Sequence, residues 1–177
     1  MGKFSWYDNH LAVMTVLSTA SKPGKFEQVT EGSDDKFGWG IINQERALKG
    51  IGRFDTRLMT NRDDKENKLV RVNVKDEGYS KDQLTWSNDI AGDAGLLKEG
   101  NGALFLTGNN QYQGKTVVRE GVLGVSGSLQ SDVQIEKDGS LYVKIRSKRL
   151  ILIVILPMRV LFMFMERSKV KRRLYCG

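Results

Sequence analysis

The glycine-punctuated stretch at residues 86–129, WSNDIAGDAGLLKEGNGALFLTGNNQYQGKTVVREGVLGVSGSL, narrows the possible folds of this chain more than any bulk property. Short apolar and β-branched runs, Ala103 to Thr107, Thr116 to Val118 and Val122 to Val125, are cut by Gly100, Gly102, Gly108, Asn109, Asn110, Gly114, Gly121 and Gly127. Glycine takes positive φ at a corner without steric penalty, and asparagine tolerates it next best. The pattern therefore predicts very short strands separated by turns. Strands that short bury too little apolar surface alone and must stack on like strands, as the rungs of a β-solenoid do. A small antiparallel sandwich or barrel satisfies the same composition.

The residues themselves distinguish the two. Leu96 to Asn110 followed by Tyr112, Gly114, Thr116, Val118, Gly121 and Leu123 follows the form G-x-G-x-L-x-L-x-G-x-N-x-Y-x-G-x-T-x-V-x-x-G-x-L. Gly100, Gly102, Leu104, Leu106, Gly108 and Asn110 supply its first half. This resembles the passenger-associated transport repeat of the β-helical passengers of bacterial autotransporters. The resemblance implies a mainly β fold, the start of a right-handed parallel β-helix, with a role in passenger export and folding. Gln111 and Gln113 stand where that pattern has small polar residues. Gly124 replaces a strand residue and is expected to weaken or bulge its rung.

The front of the chain has a different period. Asp8 can cap a helix whose apolar positions, Leu11, Val13, Met14, Val16, Leu17 and Ala20, precede the stop at Lys22-Pro23-Gly24. A second short helix is predicted from Asn43 through Ala47 and Leu48 to Gly50. MTVLSTAS (Met14 to Ser21) together with FGWGIINQERALKG (Phe37 to Gly50), notably Phe37, Gly38, Trp39, Gly40, Asn43 and Ala47, resembles the C-terminal end of a subtilisin-like protease domain of the autotransporter kind. In that family this pattern follows the helix bearing the nucleophilic serine. The resemblance implies a parent serine endopeptidase whose Asp, His and Ser precede the matched region. A triad requires a nucleophile, an imidazole base and an orienting carboxylate, and the one histidine, His10, is read as a solvent-exposed or helix-end residue. The 177-residue chain is accordingly expected to be no enzyme in itself, with no catalytic, cofactor-binding or metal site.

Between the matched regions, Asn61 to Lys68 carries mixed charge without apolar period and reads as a solvated loop. Asp63, Asp64 and Glu66 are set aside as a calcium site, because Lys65 and Lys68 interleave and no Asp-x-Asp-x-Asp-Gly pattern is present. Leu69 to Val74 alternates and predicts a strand. Trp86 to Ile90 resembles the family's lead-in to its repeat. Four regions are thus expected: 1–50, the end of a protease domain; 51–85, a linker and first strand; 86–145, passenger β-helix; and 146–177, an aberrant tail.

That tail holds all of the chain's net charge of +7: nine Lys or Arg against one acidic residue, where the rest has nineteen against twenty. Its apolar block, Leu150 to Met165, is short for a membrane helix and is broken by Pro157 and Arg159. Lys148, Arg149 and the basic run from Arg167 to Arg173 could contact phosphates, but no base-reading module accompanies them. Loss of the Gly and Asn punctuation favours a segment outside the family's reading frame. Two other classes stay open: a non-enzymatic β-solenoid surface or adhesin module, and a basic membrane-surface or nucleic-acid-binding protein acting through the tail. No small-molecule ligand, nucleic acid or membrane contact is expected. The parent's partners are expected to be the outer-membrane translocation machinery and protein substrates. The lone Cys176 excludes an internal disulfide framework. No signal-peptide pattern opens the chain and no translocator-barrel strands are evident, so the parent is expected at the bacterial surface and this polypeptide, expressed alone, in the cytoplasm. A stack this short is also expected to lack caps and to leave its core uncovered.

Overall fold

A computed structural model describes residues 2–25 and 32–145, and beyond them the backbone of three strands at 150–156, 159–166 and 169–174. The helices form where the sequence predicts them. α1 spans Asn9–Thr19, with the Asp8 carboxylate accepting from Leu11 N at 2.8 Å. α2 spans Gln44–Ala47, capped by the Asn43 side chain on Arg46 N.

The remainder winds into a parallel solenoid of about three turns. One sheet stacks β2 (Leu69–Asn73), β5 (Gly95–Glu99), the first half of β8 (Thr116–Val125) and the start of β10 (Val133–Ile145), all parallel. A second stacks β3 (Thr85–Trp86), β6 (Ala103–Leu106), and the later halves of β8 and β10. A narrow third side pairs β7 (Asn109–Asn110) with β9 (Ser128–Leu129). β1 (Arg53–Phe54) pairs in parallel with β4 (Ala91–Gly92). The parallel register decides between the two architectures left open by composition, because a sandwich or small barrel would pair these strands antiparallel.

The lumen is filled by alternate residues of each strand, as the pleat requires. Val70, Val72, Leu96 and Val118 point in from the first sheet, and Leu104, Leu106, Leu123, Val125 and Leu141 from the second. Gly124 does not bulge its rung. It pairs with Phe105 and with Tyr142, and a Cβ there would collide with the Phe105 ring, so the glycine seats that side chain. The irregularity in this ladder falls elsewhere, between Ile135 and Asp138.

The first rung is covered. Leu11, Met14, Ile51 and Phe54 belong to the same buried cluster as Trp86, Ile90 and Tyr112. Trp6 stacks on Trp86 at 6.1 Å between centroids and donates its indole N–H to Gln83 O at 2.7 Å. The segment read as a linker is packed from its first residues, since Ile51 and Phe54 are wholly buried. At the other end, β11 (Leu150–Leu156), β12 (Arg159–Glu166) and β13 (Lys169–Leu174) continue from β10 as an antiparallel meander. The change from parallel to antiparallel pairing coincides with the change of composition after Ile145.

Candidate functional site

What the repeat constructs is a stacking surface, and its chemistry is concentrated at one corner. β5 ends in Lys98-Glu99 with Gly100 next in the chain, and β8 turns the same corner one rung on at Glu120-Gly121. Gly100 and Gly121 both lie in the left-handed region, at φ +75° and +71°, where a side chain is strained. A Cβ on Gly121 would also overlap the carbonyl oxygens of Gly100 and Gly102 in the rung below. The corner therefore requires glycine for conformation and for clearance.

Lys98 occupies the inside of this corner and is completely buried. Its ammonium donates to Glu99 O at 2.8 Å, Gly100 O at 2.7 Å and Glu120 O at 3.1 Å, so all three protons are used and two rungs are tied by one side chain. Burial pulls its pKa down to about 8, partly opposed by the nearby charges of Glu120 and Glu99. Nothing in the repeat pattern singles out Lys98. The available signal was its place at an inward position of an alternating strand, two residues before Gly100.

The other motif residues close the opposite side. Asn110, fully buried, donates through Nδ2 to Gly108 O at 3.0 Å and to Ser128 O at 2.8 Å, again linking two rungs. The Tyr112 hydroxyl lies 2.5 Å from Thr116 Oγ1, which in turn lies 2.6 Å from Ser131 Oγ. Gly114 lets its chain pass against Ala94 and Gly95, where a Cβ would overlap backbone. Leu104, Leu106, Val118 and Leu123 are core. The structure thus brings Gly100, Gly102, Gly121 and Lys98 together at one corner, and Asn110, Tyr112, Gly114 and Thr116 at another.

The N-terminal motif residues stand apart from these. Phe37 is exposed and Gly38 and Gly40 turn the chain at positive φ. Trp39 stacks under the Arg57 guanidinium at 5.1 Å, Asn43 caps α2, and Ala47 is half-buried within α2. His10 lies at the helix end, as expected, but it is not solvated. Its side chain is nearly buried and its Nε2 lies 3.0 Å from Asp63 Oδ2. Asp63 also accepts from Thr60 N at 2.7 Å and Arg71 N at 2.8 Å, so the charged segment read as solvated contains a buried anchor. Burial works against the Asp63 carboxylate, but His10 and the two amides outweigh it and hold its pKa below the usual range. Asp64 is turned toward Asn67, so the acidic cluster does not converge on a common point.

Outside the solenoid, an ion ladder climbs the first sheet: Arg71 bonds Glu99 at 2.5 Å, Glu99 bonds Arg119 at 2.5 Å, and Arg119 bonds Glu136 at 3.0 Å. Each member comes from a successive rung. An open trough of about 930 Å³ lies on the second sheet, with Phe105, Tyr142 and Leu84 among its walls and Lys81 on the Phe105 ring at 5.3 Å. Among the described residues there is no cluster of metal-ligating side chains, and no helix is long and apolar enough to cross a membrane. The side chains invoked for phosphate or membrane contact, Lys148, Arg149 and Arg167 to Arg173, lie outside the described residues.

Residues 96–125, which span both corners, match the sequence model of the passenger-associated-transport-repeat family. This chain contains an autotransporter passenger repeat. It is 33% identical over 139 residues to the Neisserial autotransporter lipoprotein NalP of Neisseria meningitidis serogroup B, a match covering 78% of this chain and 11% of the relative. It is 35% identical over 130 residues to an extracellular serine protease of Serratia marcescens, covering 62% of this chain and 12% of that protein. A third match, 30% identical over 115 residues, is to serotype-specific antigen 1 of Mannheimia haemolytica, covering 64% and 10%. The chain thus spans about a tenth of the curated relatives it matches. The similarity extends well outside the repeat into the flanking sequence, because the match to the autotransporter lipoprotein covers more than four times the length of the repeat.

Proposed function

We propose that this passenger repeat is a scaffold segment, the junction between a subtilisin-like serine protease domain and the β-helical stalk of a secreted bacterial autotransporter. In this reading residues 1–50 end the protease domain, 51–85 connect it to the stalk and 86–145 are the first stalk rungs. Its work is to fold progressively as the passenger emerges through the outer-membrane translocation machinery, and to hold the protease away from the cell. The observation that carries the reading is the cross-rung tie at each of the two corners: Lys98 and Asn110 each place donors on carbonyls of two rungs. A completed rung therefore presents the donors and glycine seats that the next rung needs, and each rung contacts only its neighbours.

The test is secretion. Residues 86–145 are grafted in place of the matching segment of the Serratia marcescens enzyme, unchanged or with Gly121→Val. The unchanged graft should reach the medium and become proteinase-resistant, while Gly121→Val should slow both. Equal secretion and resistance of the two would refute a stacking role. The chain itself is assigned no catalytic part, so the purified protein should hydrolyse neither casein nor small peptides; turnover sensitive to a serine-protease inhibitor would count against this. The trough on the second sheet favours a second reading, a non-enzymatic surface module. Ligand-dependent shifts of Phe105 and Tyr142 resonances, with normal secretion of the Gly121→Val graft, would support it.

A further inference from the structure

The outward face of the second sheet is built in columns, because side chains alternate along each strand while the stack repeats every position one rung on. Thr85 pairs with Phe105, Phe105 with Gly124, and Gly124 with Tyr142, so two aromatic rings share one column with a glycine between them. Two residues further along the same strands, Ser87, Thr107, Ser126 and Lys144 follow the paired Trp86, Leu106, Val125 and Val143 and form a second column on the same face. The open trough of about 930 Å³ lies along the aromatic column, and a polar recess of about 560 Å³ opens beside it; Thr107, Ser126 and Lys144 line both.

The aromatic column is open to an outside group. Phe105 and Tyr142 are half-buried, while Leu104, Leu106, Leu123 and Leu141 turn inward and fill the lumen. Gly124 leaves room for the Phe105 ring, and the ammonium of the exposed Lys81 stands over that ring, 5.3 Å from its centroid. Aromatic rings left outward under a polar rim mark an interaction surface. The rim offers donors and acceptors. Asp89 Oδ1 accepts from Asn109 N at 2.6 Å, and the Asn109 amide oxygen accepts from the Ser128 hydroxyl of the next rung. The charged side chains lining the two recesses are Lys81, Lys144, Asp82 and Asp89, two of each sign. Even with Lys3, which pairs with Asp82 at 3.1 Å, the excess is a single positive charge.

We propose that this face binds a neutral oligosaccharide, its pyranose C–H faces laid on Phe105 and Tyr142 and its hydroxyls bonded to the polar side chains of the neighbouring column and rim. This rests on the surface-module reading above and names the ligand of that same trough; the corner residues keep their stacking role. A pyranose is apolar on the face where its C–H bonds point and polar around its edge, and an aromatic column beside a hydroxyl column has the same division. The negative π face of an aromatic ring attracts C–H groups, and hydroxyls exchange hydrogen bonds with side chains such as Thr107 and Asn109. A polyanion needs a continuous basic face, which two lysines among carboxylates do not provide. A peptide is the poorer occupant, because β3, β6, β8 and β10 pair with one another and the face offers its backbone no strand edge. The strands bearing the two rings are two spacings apart, about 9–10 Å, so a chain of sugars engages both rings.

The test is titration of the 177-residue chain with cellohexaose and maltohexaose, an extended and a coiled neutral chain, followed through the Phe105 and Tyr142 ring resonances, beside a heparin hexasaccharide and decaproline. At least one neutral hexasaccharide should shift both rings, equally at low and high salt. Tyr142→Ala should weaken that binding about tenfold with an unchanged circular-dichroism spectrum, and Tyr142→Phe, which keeps the ring, should retain it. Ser126→Ala leaves both rings in place and should weaken binding several-fold through the lost hydrogen bond; it carries the test should Tyr142→Ala fail to fold. Neutral-sugar binding that neither alanine variant changes overturns the proposal. A response to the heparin hexasaccharide alone, lost at high salt, or to decaproline alone also overturns it, while keeping the surface-module reading with another ligand. Silence of both rings toward all four probes overturns that reading as well.

Discussion

Lys98 has been taken out of water into the lumen of a solenoid, where a charge is costly unless its donors are matched. Three carbonyl oxygens at 2.7 to 3.1 Å match them. Lys98→Met should leave the Gly100 and Glu120 carbonyls without this donor and destabilise the chain by about 1–3 kcal/mol, read as a lower urea midpoint at pH 7. The pH dependence has a definite sign. With its pKa lowered to about 8, folded Lys98 gives up its proton before the unfolded chain does, near 10.4. The unfolded state binds more protons between these values, so this group makes stability rise with pH from about 8 to about 10. The rise should vanish in Lys98→Met. Asp63 has the same sign in an acidic window: its lowered pKa contributes stability that is fully present above the ordinary carboxylate range and is lost as pH falls through the folded value. Asp63→Asn should therefore flatten the acid limb of the stability curve, and an unchanged limb would mean that other carboxylates carry it.

At the scale of the element, each strand is too short to be stable alone and takes its stability from its neighbours. β8 passes the corner without interruption because Gly121 supplies the left-handed residue, and Gly124, three residues on, yields its space to Phe105. Gly124→Val should displace Phe105 from its seat and cost about 1–3 kcal/mol by overpacking, visible as a lower melting temperature and a changed Phe105 ring environment in NMR. The ion ladder acts between elements rather than within them. Arg119 is half-exposed and serves two carboxylates, Glu99 below and Glu136 above. Exposed pairs contribute about 0.2–1 kcal/mol each, so Arg119→Ala should cost little at physiological salt. A slipped register would pull Glu99 away from Arg71 and Arg119, so the ladder's larger effect is on pairing. The measurement is refolding at low and high salt, where Arg119→Ala should raise the misfolded fraction at low salt only.

At the scale of the whole molecule, one core runs from α1 through Trp86 to Leu141. Met14, buried in α1, and Trp86, buried in the first rung, belong to the same cluster, so the helical front and the stalk should unfold together. Met14→Ala should cost about 2–5 kcal/mol and lower the hydrogen-exchange protection of β3 and β6 as well as of α1. Protection lost in α1 alone would mean that the front is a separate unit. Beyond Ile145 the pairing turns antiparallel just where the Gly and Asn turns cease. A parallel stack needs a glycine-bearing corner in every rung to bring the chain back over itself, whereas an antiparallel meander needs only tight turns.

The sequence by itself determined the glycine corners, both helices with their caps, and the identity of the repeat, because these rest on residues close in the chain: Asp8 with Leu11, Asn43 with Arg46, and Gly at each corner; it did not determine strand length, since β8 runs ten residues through Gly121 where two short strands were expected. Tertiary structure alone decided that His10 and Asp63 meet, that Lys98 lies inside the lumen, that the segment from Ile51 to Phe54 is part of the core, and that Gly124 is a seat and no defect. The physical reason is separation. His10 and Asp63, Gly52 and Ser18, and Phe105 and Gly124 lie about a rung or more apart along the chain. No local period records which of those neighbours the stacking will supply.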